Sequence, residues 1–416
     1  MSWEEIELGR LFQIKHGWAF KGEYFRPEGE FMIVTPGNFL EQGGFRTRVG
    51  KEKYYVGNFP KEYLLSKGRV VIAMTEQGPG LLGSPGIIPN DNKFLHNQRI
   101  GLVTNIDEKK VYEKFIYYLF FTNKVRDKIF GTSTGTKVKH TAPKRIYDIK
   151  VEIPSVGTQQ KIASILSAYD DLIENNLKRI KLLEEIAQRT YEEWFVKFRI
   201  NGEELAIDEE TGLPEGWELK EIQFFGKVVT GKTPSTLNAE NFDGTVPFVK
   251  TPDMHGLPYV IKTNQTLSRL GAELQSKKFI PKNSIMVSCI GSAGVYALAS
   301  IDCQTNQQIN SVDFFKSNYS FYFYCLAGNL KPLLEGLGSN GATMTNVNKG
   351  KFEKINVVHP GDELLIDFHE KIKSNFELIL SMQKQNEILK EARDILLPRL
   401  MSGEIEVEAL KELIEI

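Results

Sequence analysis

The sequence of 416 residues is poor in the side chains that bind metals or form disulfides. Its three cysteines, Cys289, Cys303 and Cys325, are too few and too far apart for a disulfide framework and lack the spacing of zinc ligands. The histidines are scattered, without an H-x-x-x-H pair. No run of about 18 apolar residues is present, and MSWEEIELGR lacks the basic start and apolar stretch of a signal peptide. We therefore expect a cytoplasmic chain without a metal site.

Net charge is also low, but its distribution is uneven. The chain has a net charge of −1 and ordinary globular composition, and its length predicts two or more domains. Basic residues outnumber acidic ones by 24 to 17 in residues 1–154 and by 14 to 11 in residues 214–360. Acidic residues lead by 12 to 7 in residues 155–213 and by 13 to 7 in residues 361–416. Basic blocks suit a polyanion, whereas acidic blocks suit solvated helices or a protein partner.

One segment resembles a nucleotide-binding loop. GKVVTGKT, residues 226–233, fits the pattern G-x-x-x-x-G-K-[ST], which binds phosphates where a strand leads into a helix. The following PSTLNAENFDG is polar and has no helical period, and the nearest candidate for a magnesium-binding carboxylate is Asp302. A P-loop enzyme is therefore an alternative that the local sequence disfavours.

The chain contains an internal repeat. SWEEIELGRLFQIKHGW corresponds to GWELKEIQFFGKVVTGK 214 positions later, and the segments that end at Pro154 and Pro360 are 206 apart. Between them GRVVIAMTEQGPGLLG corresponds to NSIMVSCIGSAGVYAL, and HNQRIGLVTN to TNQQINSVDF. We call residues 1–154 the first repeat and residues 214–360 the second repeat. Because Gly231-Lys232-Thr233 then aligns with Gly17-Trp18-Ala19, the phosphate-loop interpretation weakens further.

Two long helices are predicted, one in residues 155–213 and one in residues 361–416. Both segments place apolar residues at alternating spacings of four and three, and residues 158–195 contain no Gly or Pro. The predicted seams are Ile162, Leu166, Ile173, Asn176, Ile180 and Leu183 in the first helix and Ile372, Ile379, Met382, Asn386 and Leu389 in the second. We expect an antiparallel coiled coil in which Asn176 fixes the register, ended by Pro398. The alternative is that each helix packs only on its own repeat.

Three segments carry a resemblance to a known family. LKEARDILLPRLMSGEI (389–405), EIAQRTYEEWFVKF (185–198) and IPSVGTQQKIASIL (153–166) resemble the specificity subunit of type I DNA restriction-modification systems. The resemblance covers essentially the whole chain, although HPGDELLIDFHEKI at the start of the second helix lacks the Gln pair. It implies an α/β fold: two tandem target-recognition domains separated by two long antiparallel coiled-coil helices and related by a pseudo-twofold axis.

The resemblance also implies a function and partners. Each domain would read one half of an asymmetric bipartite target in double-stranded DNA, and the helices would set the unread gap. The helices would bind two DNA adenine methyltransferase subunits that hold S-adenosylmethionine, while ATP and Mg would belong to restriction motor-nuclease subunits. The chain itself would be non-catalytic, and it contains no Asn-Pro-Pro-Phe/Tyr motif and no F-x-G-x-G loop.

Loops with glycine beside basic residues are the candidate DNA contacts, because Lys and Arg neutralise phosphates while polar side chains read base edges. The Gly/Thr loop 131–137 lies within residues 124–150, which hold eight Lys and Arg against two Asp. Gln98, which aligns between repeats, is expected to hold its turn, and Arg99 to reach phosphate or base. The candidates are Lys15, Thr75, Gln77, Arg99, Thr132, Thr134, Thr136, Lys137 and Lys139 in the first repeat and Lys232, Ser292, Asn340, Thr343, Thr345 and Asn346 in the second.

Two alternatives to a DNA-recognition subunit stay open on the sequence alone. One is the P-loop nucleotide-binding enzyme, and the other is a coiled-coil scaffold with two globular ends that does not bind DNA. A narrower possibility is the specificity module of a fused enzyme, encoded as a separate chain. The aromatic run KFIYYLFFTNKV predicts a buried helix rather than a surface for base stacking.

Overall fold

The computed structural model divides into two compact units. Unit 1 comprises Met1–Asp171 and Lys390–Ile416, and unit 2 comprises Leu172–Leu389. Each unit contains one repeat and a part of each of two long helices. No helix within the residues described is long and apolar enough to cross a membrane. The described residues are 3–47, 50–76, 78, 80–135, 138–338 and 345–407.

The first repeat is built from short strands and three helices. The strands are β1 (Glu4–Glu7), β2 (Gln13–His16), β3 (Phe25–Arg26), β4 (Phe31–Val34), β5 (Tyr54–Tyr55), β6 (Leu64–Leu65), β7 (Val70–Ala73), β8 (Pro85–Ile87), β9 (Phe94–His96), β10 (Ile100–Thr104) and β11 (Lys150–Ile153). The helices are α1 (Glu113–Leu119), α2 (Asn123–Gly131) and α3 (Pro143–Tyr147). The aromatic run predicted to form a buried helix lies largely in α1, whose residues 115–119 are all buried.

The first repeat contains two main sheets and one strand pair. One sheet has the antiparallel order β2-β10-β7-β8, and the other has the order β3-β5-β4-β9-β6 with β4 parallel to β9. Strands β1 and β11 pair antiparallel and bring the two ends of the repeat together. Strand β7 is buried on both faces, because Val70 and Ile72 enter one core cluster while Val71 and Ala73 enter another. This explains why GRVVIAMT reads as a continuous apolar run rather than an alternating one.

A long helix and a hairpin follow the first repeat. Helix α4 (Val156–Tyr191) continues into a π-helical turn, Glu192–Val196, and strands β12 (Arg199–Ile200) and β13 (Glu203–Glu204) form the hairpin. The helix therefore covers the segment that its spacing of apolar residues predicts.

The second repeat has the same kinds of elements. Its strands are β14 (Glu218–Glu221), β15 (Gly226–Thr230), β16 (Phe242–Val249), β17 (Tyr259–Val260), β18 (Thr266–Leu267), β19 (Ile285–Ser288), β20 (Ile290–Gly291), β21 (Tyr296–Ala299), β22 (Gln304–Thr305), β23 (Ile309–Phe314), β24 (Thr345–Asn346) and β25 (Asn356–His359). Its helices are α5 (Ile222–Phe225), α6 (Arg269–Glu273), α7 (Tyr319–Ala327), α8 (Leu330–Gly338) and α9 (Lys349–Glu353).

The two repeats share one topology. The order β15-β23-β19-β21 in the second repeat matches β2-β10-β7-β8 in the first, and the pair β14–β25 matches β1–β11. The parallel pair β16–β22 matches β4–β9. The sequence prediction of an α/β tandem repeat is therefore confirmed.

The second long helix does not end where its sequence predicts. Helix α10 (Asp362–Ser402) contains Pro398 inside it, so the expectation that this proline ends the helix is wrong. Proline removes one backbone hydrogen bond from the preceding turn. Leu400 and Met401, beyond the proline, are buried in the core of unit 1 together with Leu397. This burial offsets the lost hydrogen bond and keeps the last turn helical.

The two long helices begin with different contacts. In α4, Gln159 is fully buried, donates to Lys110 O and Pro154 O, both at 2.8 Å, and accepts from Tyr112 N at 2.9 Å. In α10, Asp362 instead accepts from Lys316 Nζ and Tyr319 OH, both at 2.6 Å, and the pKa of its carboxyl is lowered to about 2 by these two bonds. At the start of α10 the Lys316–Asp362 ion pair thus takes the place of the hydrogen bonds that the Gln159 amide makes at the start of α4.

Within unit 2 the helices α4 and α10 pair antiparallel, as the sequence predicts. The buried Asn176 Nδ2 donates to Asn386 Oδ1 at 2.9 Å, and at the end of α4 the ring of Tyr191 lies 6.4 Å from that of Phe368. Residue numbers therefore rise along α4 as they fall along α10. Asn386 Nδ2 also donates to Ile173 O at 3.5 Å, so one buried asparagine pair supplies both side-chain hydrogen bonds described between the seams in this unit, and such a pair favours one register.

Within unit 1 the start of α4 packs against the end of α10. Arg393 Nη1 donates to Asp170 Oδ1 at 2.7 Å, and Tyr118 OH donates to the other oxygen of the same carboxylate at 2.7 Å. Ile162 and Leu166 share a core cluster with Leu397, Leu400 and the first repeat. Each helix is therefore packed both on the other helix and on a repeat.

Candidate nucleic-acid interface

In unit 1 three segments that are far apart in sequence meet at the end of β7. They form the first junction, residues 74–76, 97–99 and 139–141. Met74 N donates to Arg99 O at 3.0 Å, and Glu76 N donates to Lys139 O at 2.9 Å. Thr141 N donates back to Met74 O at 3.0 Å. The Gly-rich turn, the Asn-Gln turn and the Gly/Thr loop, which sequence analysis treats separately, therefore border one surface.

The second repeat forms the same arrangement at the equivalent place. The second junction consists of residues 289–291, 306–308 and 345–347. Cys289 N donates to Gln308 O at 2.8 Å, and Val347 N donates to Cys289 O at 3.0 Å. Strands β20 and β24 pair antiparallel, with Ile290 opposite Asn346. The backbone hydrogen bonds thus equate Cys289 with Met74 and Gln308 with Arg99, in agreement with the sequence alignment.

Residues that are identical in the two repeats hold the backbone of both junctions. Asn97 Oδ1 accepts from Arg99 N at 3.0 Å, and Asn306 Oδ1 accepts from Gln308 N at 3.2 Å. These bonds fix the two turns by the same Asx contact. The next side chains, Gln98 and Gln307, are exposed, and Gln307 accepts from Thr233 Oγ1 at 2.6 Å.

The predicted contacts of the first repeat occupy different environments. Arg99 is exposed at the junction, whereas Thr75 is buried and its hydroxyl has no hydrogen-bond partner among the described residues. The exposed Thr134 forms a backbone bridge with His140, which belongs to the junction segment 139–141. The Oγ1 atom of Thr134 accepts from Arg145 Nη1 at 3.0 Å. The Lys139 amine lies 3.2 Å from the centre of the Phe130 ring.

Two further predicted residues lie away from the first junction. Thr132 ends α2, and its Oγ1 donates to Lys128 O at 2.8 Å, so that hydroxyl is already engaged. Lys15 lies in β2, where its amine is 3.5 Å from a Glu62 oxygen and 4.6 Å from the centre of the Tyr63 ring. Both positions therefore have a structural contact of their own.

In the second repeat the described candidates are accessible. Lys232, Ser292 and Asn346 are exposed, and Thr345 is half-buried. Ser292 follows β20 directly, and Thr345 and Asn346 form β24, so these three lie at the second junction or beside it. The remaining candidates, Gln77, Thr136, Lys137, Asn340 and Thr343, lie outside the described residues.

Arg145 is a further candidate for DNA contact, and in the sequence it stands out only as one of the basic residues of segment 124–150. It lies in α3, and its bond to Thr134 places its guanidinium beside the loop at the first junction. No residue pattern in the sequence shows that α3 begins directly after the junction segment. The basic count over residues 124–150 is the one signal that points towards it.

The segment that matches a phosphate-binding loop is a strand. Residues Gly226–Thr230 form β15, which pairs with β23 over its whole length. The chain after Thr230 is irregular up to a short 3-10 turn, Ala239–Asn241, so no helix N-terminus faces the lysine of the pattern. The P-loop alternative is therefore not supported, because that pattern needs a loop between strand and helix.

The glycine at position 231 of this pattern is required by packing and not by phosphate binding. A Cβ atom at Gly231 would overlap the carbonyl oxygens of Thr305 and Asn306, and a Cβ at Gly17 would overlap those of His96 and Asn97. Both repeats thus need a residue without a side chain where these two backbones approach.

The cysteine thiols are buried in unit 2. Burial raises the pKa of Cys289 to about 11 and that of Cys303 to about 12, and it also raises the pKa of Cys325. Thiols with a raised pKa stay protonated at neutral pH and are poor nucleophiles. Cys289 therefore serves the second junction as a small packing residue.

The predicted seam residues and several other apolar residues occupy different faces of the long helices. Leu183 and Leu389 are half-buried, and the other nine seam residues are buried. Away from the seam, Leu182 and Ile186, one turn apart on α4, are 58% and 53% exposed. Exposed apolar residues in unit 2 include Leu172, Leu177, Leu182 and Ile186 on α4 and Ile366, Leu378 and Ile388 on α10. Exposed apolar side chains grouped on a charged helix are typical of a protein-interaction surface.

Comparison with known proteins gives consistent matches over nearly the whole chain. The model of the type I restriction modification DNA specificity domain matches twice, at residues 1–185 and 214–390. The type I restriction enzyme HindI specificity subunit of Haemophilus influenzae is 32% identical over 468 aligned positions, which cover 97% of this chain and 100% of that protein. The MjaIX specificity subunit of Methanocaldococcus jannaschii is 29% identical and covers 77% of this chain and 74% of its own.

A solved structure has a similar fold. The crystal structure of the type I restriction-modification S subunit from M. genitalium is 17% identical in sequence, with a TM-score of 0.58 and coverage of 96% of both chains. At this level of identity the likeness concerns the fold alone.

Proposed function

Because the chain belongs to the specificity subunits of type I restriction-modification systems, we propose that its two junctions read the two halves of one asymmetric, bipartite DNA sequence. Each repeat contributes one junction, and each junction reads one half-site. The observation that carries this proposal is that the same backbone arrangement recurs in both repeats with different side chains at equivalent positions.

The difference between the junctions lies in side chains suited to different bases. At equivalent positions the first junction carries Arg99 and the second carries Gln308, while His140 in the first corresponds to Asn346 in the second. Arginine pairs with the two acceptors of guanine in the major groove, and glutamine or asparagine pairs with adenine. Two identical frames with unlike side chains therefore support the reading of two unlike half-sites.

The paired helices set the number of unread base pairs between the half-sites. A helix of 36 residues, such as α4, is about 54 Å long at 1.5 Å per residue. The Asn176–Asn386 bond and the buried seams oppose sliding of one helix along the other. A fixed register gives a fixed gap, which a bipartite target requires.

The exposed apolar residues of α4 and α10 serve as the docking surface for two adenine methyltransferase subunits. Leu182 and Ile186 represent this surface on α4 in unit 2. The methyltransferase subunits bind S-adenosylmethionine, and ATP with Mg binds to restriction motor-nuclease subunits. The specificity subunit contributes recognition and assembly and no bond-breaking step of its own.

Exchange of one repeat tests the proposal. The first repeat, residues 1–154, is replaced by the corresponding block of a relative, and methylated sites are mapped across a genome that carries the hybrid subunit and its methyltransferase. We expect one half of the target to change and the other half to stay the same. A hybrid that changes both halves, or that methylates the original target unchanged, would contradict the assignment of one repeat to one half-site.

A further inference from the structure

Beside each junction the two repeats place opposite kinds of side chain at equivalent positions. Trp18 N donates to His96 O at 2.8 Å in the first repeat, and Lys232 N donates to Thr305 O at 2.9 Å in the second. Each of these residues follows the glycine that allows the backbones to approach. Trp18 and Lys232 therefore occupy the same position in the shared fold.

A second pair of equivalent positions lies in a short 3-10 turn of each repeat. The turn Lys61–Tyr63 precedes β6, where Leu65 pairs with Phe94, and the turn Ser276–Lys278 precedes Ile280, which forms an antiparallel bridge with Cys303. Counting back from Leu65 and Ile280 equates Tyr63 with Lys278 and Glu62 with Lys277. The sequence repeat does not reveal this match, because the two segments share no motif.

In the first repeat Trp18 and Tyr63 are half-buried and, together with Phe20, form an aromatic surface without net charge. The rings of Trp18 and Tyr63 are stacked with their centres 6.4 Å apart, and Phe20 packs edge-on against Trp18 at 5.0 Å. The nearby Lys15 lies over the Tyr63 ring and is paired with Glu62. We call Trp18, Phe20 and Tyr63 the aromatic surface.

In the second repeat the positions equivalent to Trp18, Glu62 and Tyr63 carry lysines. Gln275 Nε2 donates to Lys232 O at 2.8 Å, and Lys278 N donates to Gln275 O at 2.8 Å, so one buried residue ties the two backbones together. Lys232 and Lys277 are exposed and Lys278 is half-buried. We call Lys232, Lys277 and Lys278 the lysine surface.

The lysine surface is not neutralised within the part of the chain that the structure describes. None of its three amines forms an ion pair there, and the nearby Glu273 is bound by Arg269 at 2.8 Å. Clustered cations repel one another, so a surface that keeps them together suits an anion supplied from outside. The equivalent aromatic surface has no unpaired positive charge that an external anion would neutralise.

We propose that the lysine surface binds phosphates of the DNA backbone, and that the aromatic surface contacts the same duplex through apolar packing without neutralising phosphates. This inference rests on the proposed function, since it assumes that both junctions face DNA. It adds that the two repeats bind by different physical means. The first contact is then largely independent of salt, and the second depends strongly on it.

Salt dependence of DNA binding separates the two contacts. The full chain is assembled with its methyltransferase partner, and the affinity for a labelled duplex carrying the methylated target is measured by fluorescence anisotropy between about 50 and about 200 mM KCl. Each neutralised phosphate contributes about 0.9 to the slope of log affinity against log salt. We expect Lys232→Ala/Lys277→Ala/Lys278→Ala to make the slope shallower by about 2 to 3.

Matched variants of the first repeat give the opposite result. Trp18→Ala/Tyr63→Ala should weaken binding roughly 5- to 100-fold at every salt concentration and leave the slope unchanged. Trp18→Tyr/Tyr63→Phe, which keeps the rings, should restore most of the affinity. Trp18→Lys/Tyr63→Lys should make the slope steeper by about 1 to 2, because it gives the first repeat the lysines of the second.

Two controls distinguish a failure of this inference from a failure of the proposed function. Arg269→Ala/Glu273→Ala removes an ion pair near the lysine surface without changing net charge, and the slope should stay as in the unaltered chain. A wild-type slope in the triple lysine variant, or a changed slope in Trp18→Ala/Tyr63→Ala, would overturn the inference. If the unaltered complex bound target and scrambled duplexes equally, the proposed function itself would fail.

Discussion

Arg99 and Gln308 offer a direct test of base reading, because they occupy one position in two equivalent frames. In the first repeat the frame uses only the backbone of Arg99, whose carbonyl accepts from Met74 N and whose N–H donates to Asn97 Oδ1. In the second repeat Gln308 makes the same two backbone bonds, and its Oε1 also accepts from Asn306 Nδ2 at 3.1 Å. The Arg99 side chain can therefore be exchanged without removing a described contact of the frame, whereas exchange of Gln308 also removes the bond from Asn306. We predict that Arg99→Gln changes the base preference at one position of the half-site read by the first repeat.

The magnitude follows from the chemistry of the contact. A bidentate pair between arginine and guanine is worth about 1–3 kcal/mol of discrimination against the wrong base. The exponential of this energy divided by an RT of about 0.59 kcal/mol corresponds to a loss of base preference of about 5- to 150-fold at that position. The change should be confined to one position, since no other side chain of the first junction depends on the guanidinium. The reciprocal change, Gln308→Arg, should shift base preference in the other half-site, and it should also lower methylation there for every base because it removes the bond from Asn306 Nδ2 to Gln308 Oε1.

The assay is methylation of a set of duplexes in which each target position is varied in turn, with the reconstituted complex. Asn97→Ala serves as the control, because loss of the bond from Arg99 N loosens the whole turn and should lower methylation for every base at that half-site. The reasoning is refuted if Arg99→Gln alters preference in both halves. It is equally refuted if preference changes in neither half while Asn97→Ala shows the general loss.

Three further predictions concern the helices. Asn176→Leu should lower the free energy of unfolding by about 1–3 kcal/mol, because the buried Asn386 Oδ1 loses its donor. Asn176→Leu/Asn386→Leu should recover most of this loss, and equal losses for the two variants in thermal or urea unfolding would contradict the prediction. The pKa of Asp362 is lowered from 3.8 to about 2, so the stability that its ionised carboxyl contributes is present above about pH 4 and is lost as the pH falls towards 2. The difference in Tm between the natural chain and Lys316→Met should therefore shrink over that pH range. A constant difference in Tm would contradict the pairing of Asp362 with Lys316. Gln159→Leu should lower the Tm, because buried backbone groups lose three hydrogen bonds to this side chain, and an unchanged Tm would show that they find other partners.

Much of the architecture is predictable from the sequence, because burial leaves a pattern in it. The spacing of four and three in α4 reflects a helix buried along one stripe, and the uninterrupted apolar run in β7 reflects a strand buried on both faces. The repeat is visible for the same reason, since both copies must bury equivalent strands. The match of Gly17 with Gly231 also follows from sequence, and the structure supplies its cause in the close approach of two backbones.

Other features depend on tertiary contacts that leave no local signal. Pro398 predicts the end of a helix, but the buried Leu400 and Met401 keep the turn beyond it helical. The equivalence of Tyr63 and Lys278 is visible only through strand pairing, because their side chains share no property. Likewise, Thr75 is a polar residue in a Gly-rich turn by sequence, yet it is buried and forms a bridge with His140 just beyond the end of β7.

Comparison of the repeats within one chain therefore separates two kinds of residue without any outside reference. Positions that are identical, such as Asn97 with Asn306, make the same backbone bond in both copies, so a substitution there should harm recognition of any sequence. Positions that are equivalent in the fold but differ in chemistry, such as Arg99 with Gln308, make the same backbone bonds with unlike side chains, although the Gln308 side chain also accepts from its frame asparagine. If the two copies read unlike half-sites, sequence specificity must lie in this second class. Trp18 and Lys232 fall in the same class, which is why the asymmetry between the repeats extends from base reading to the contact with the DNA backbone.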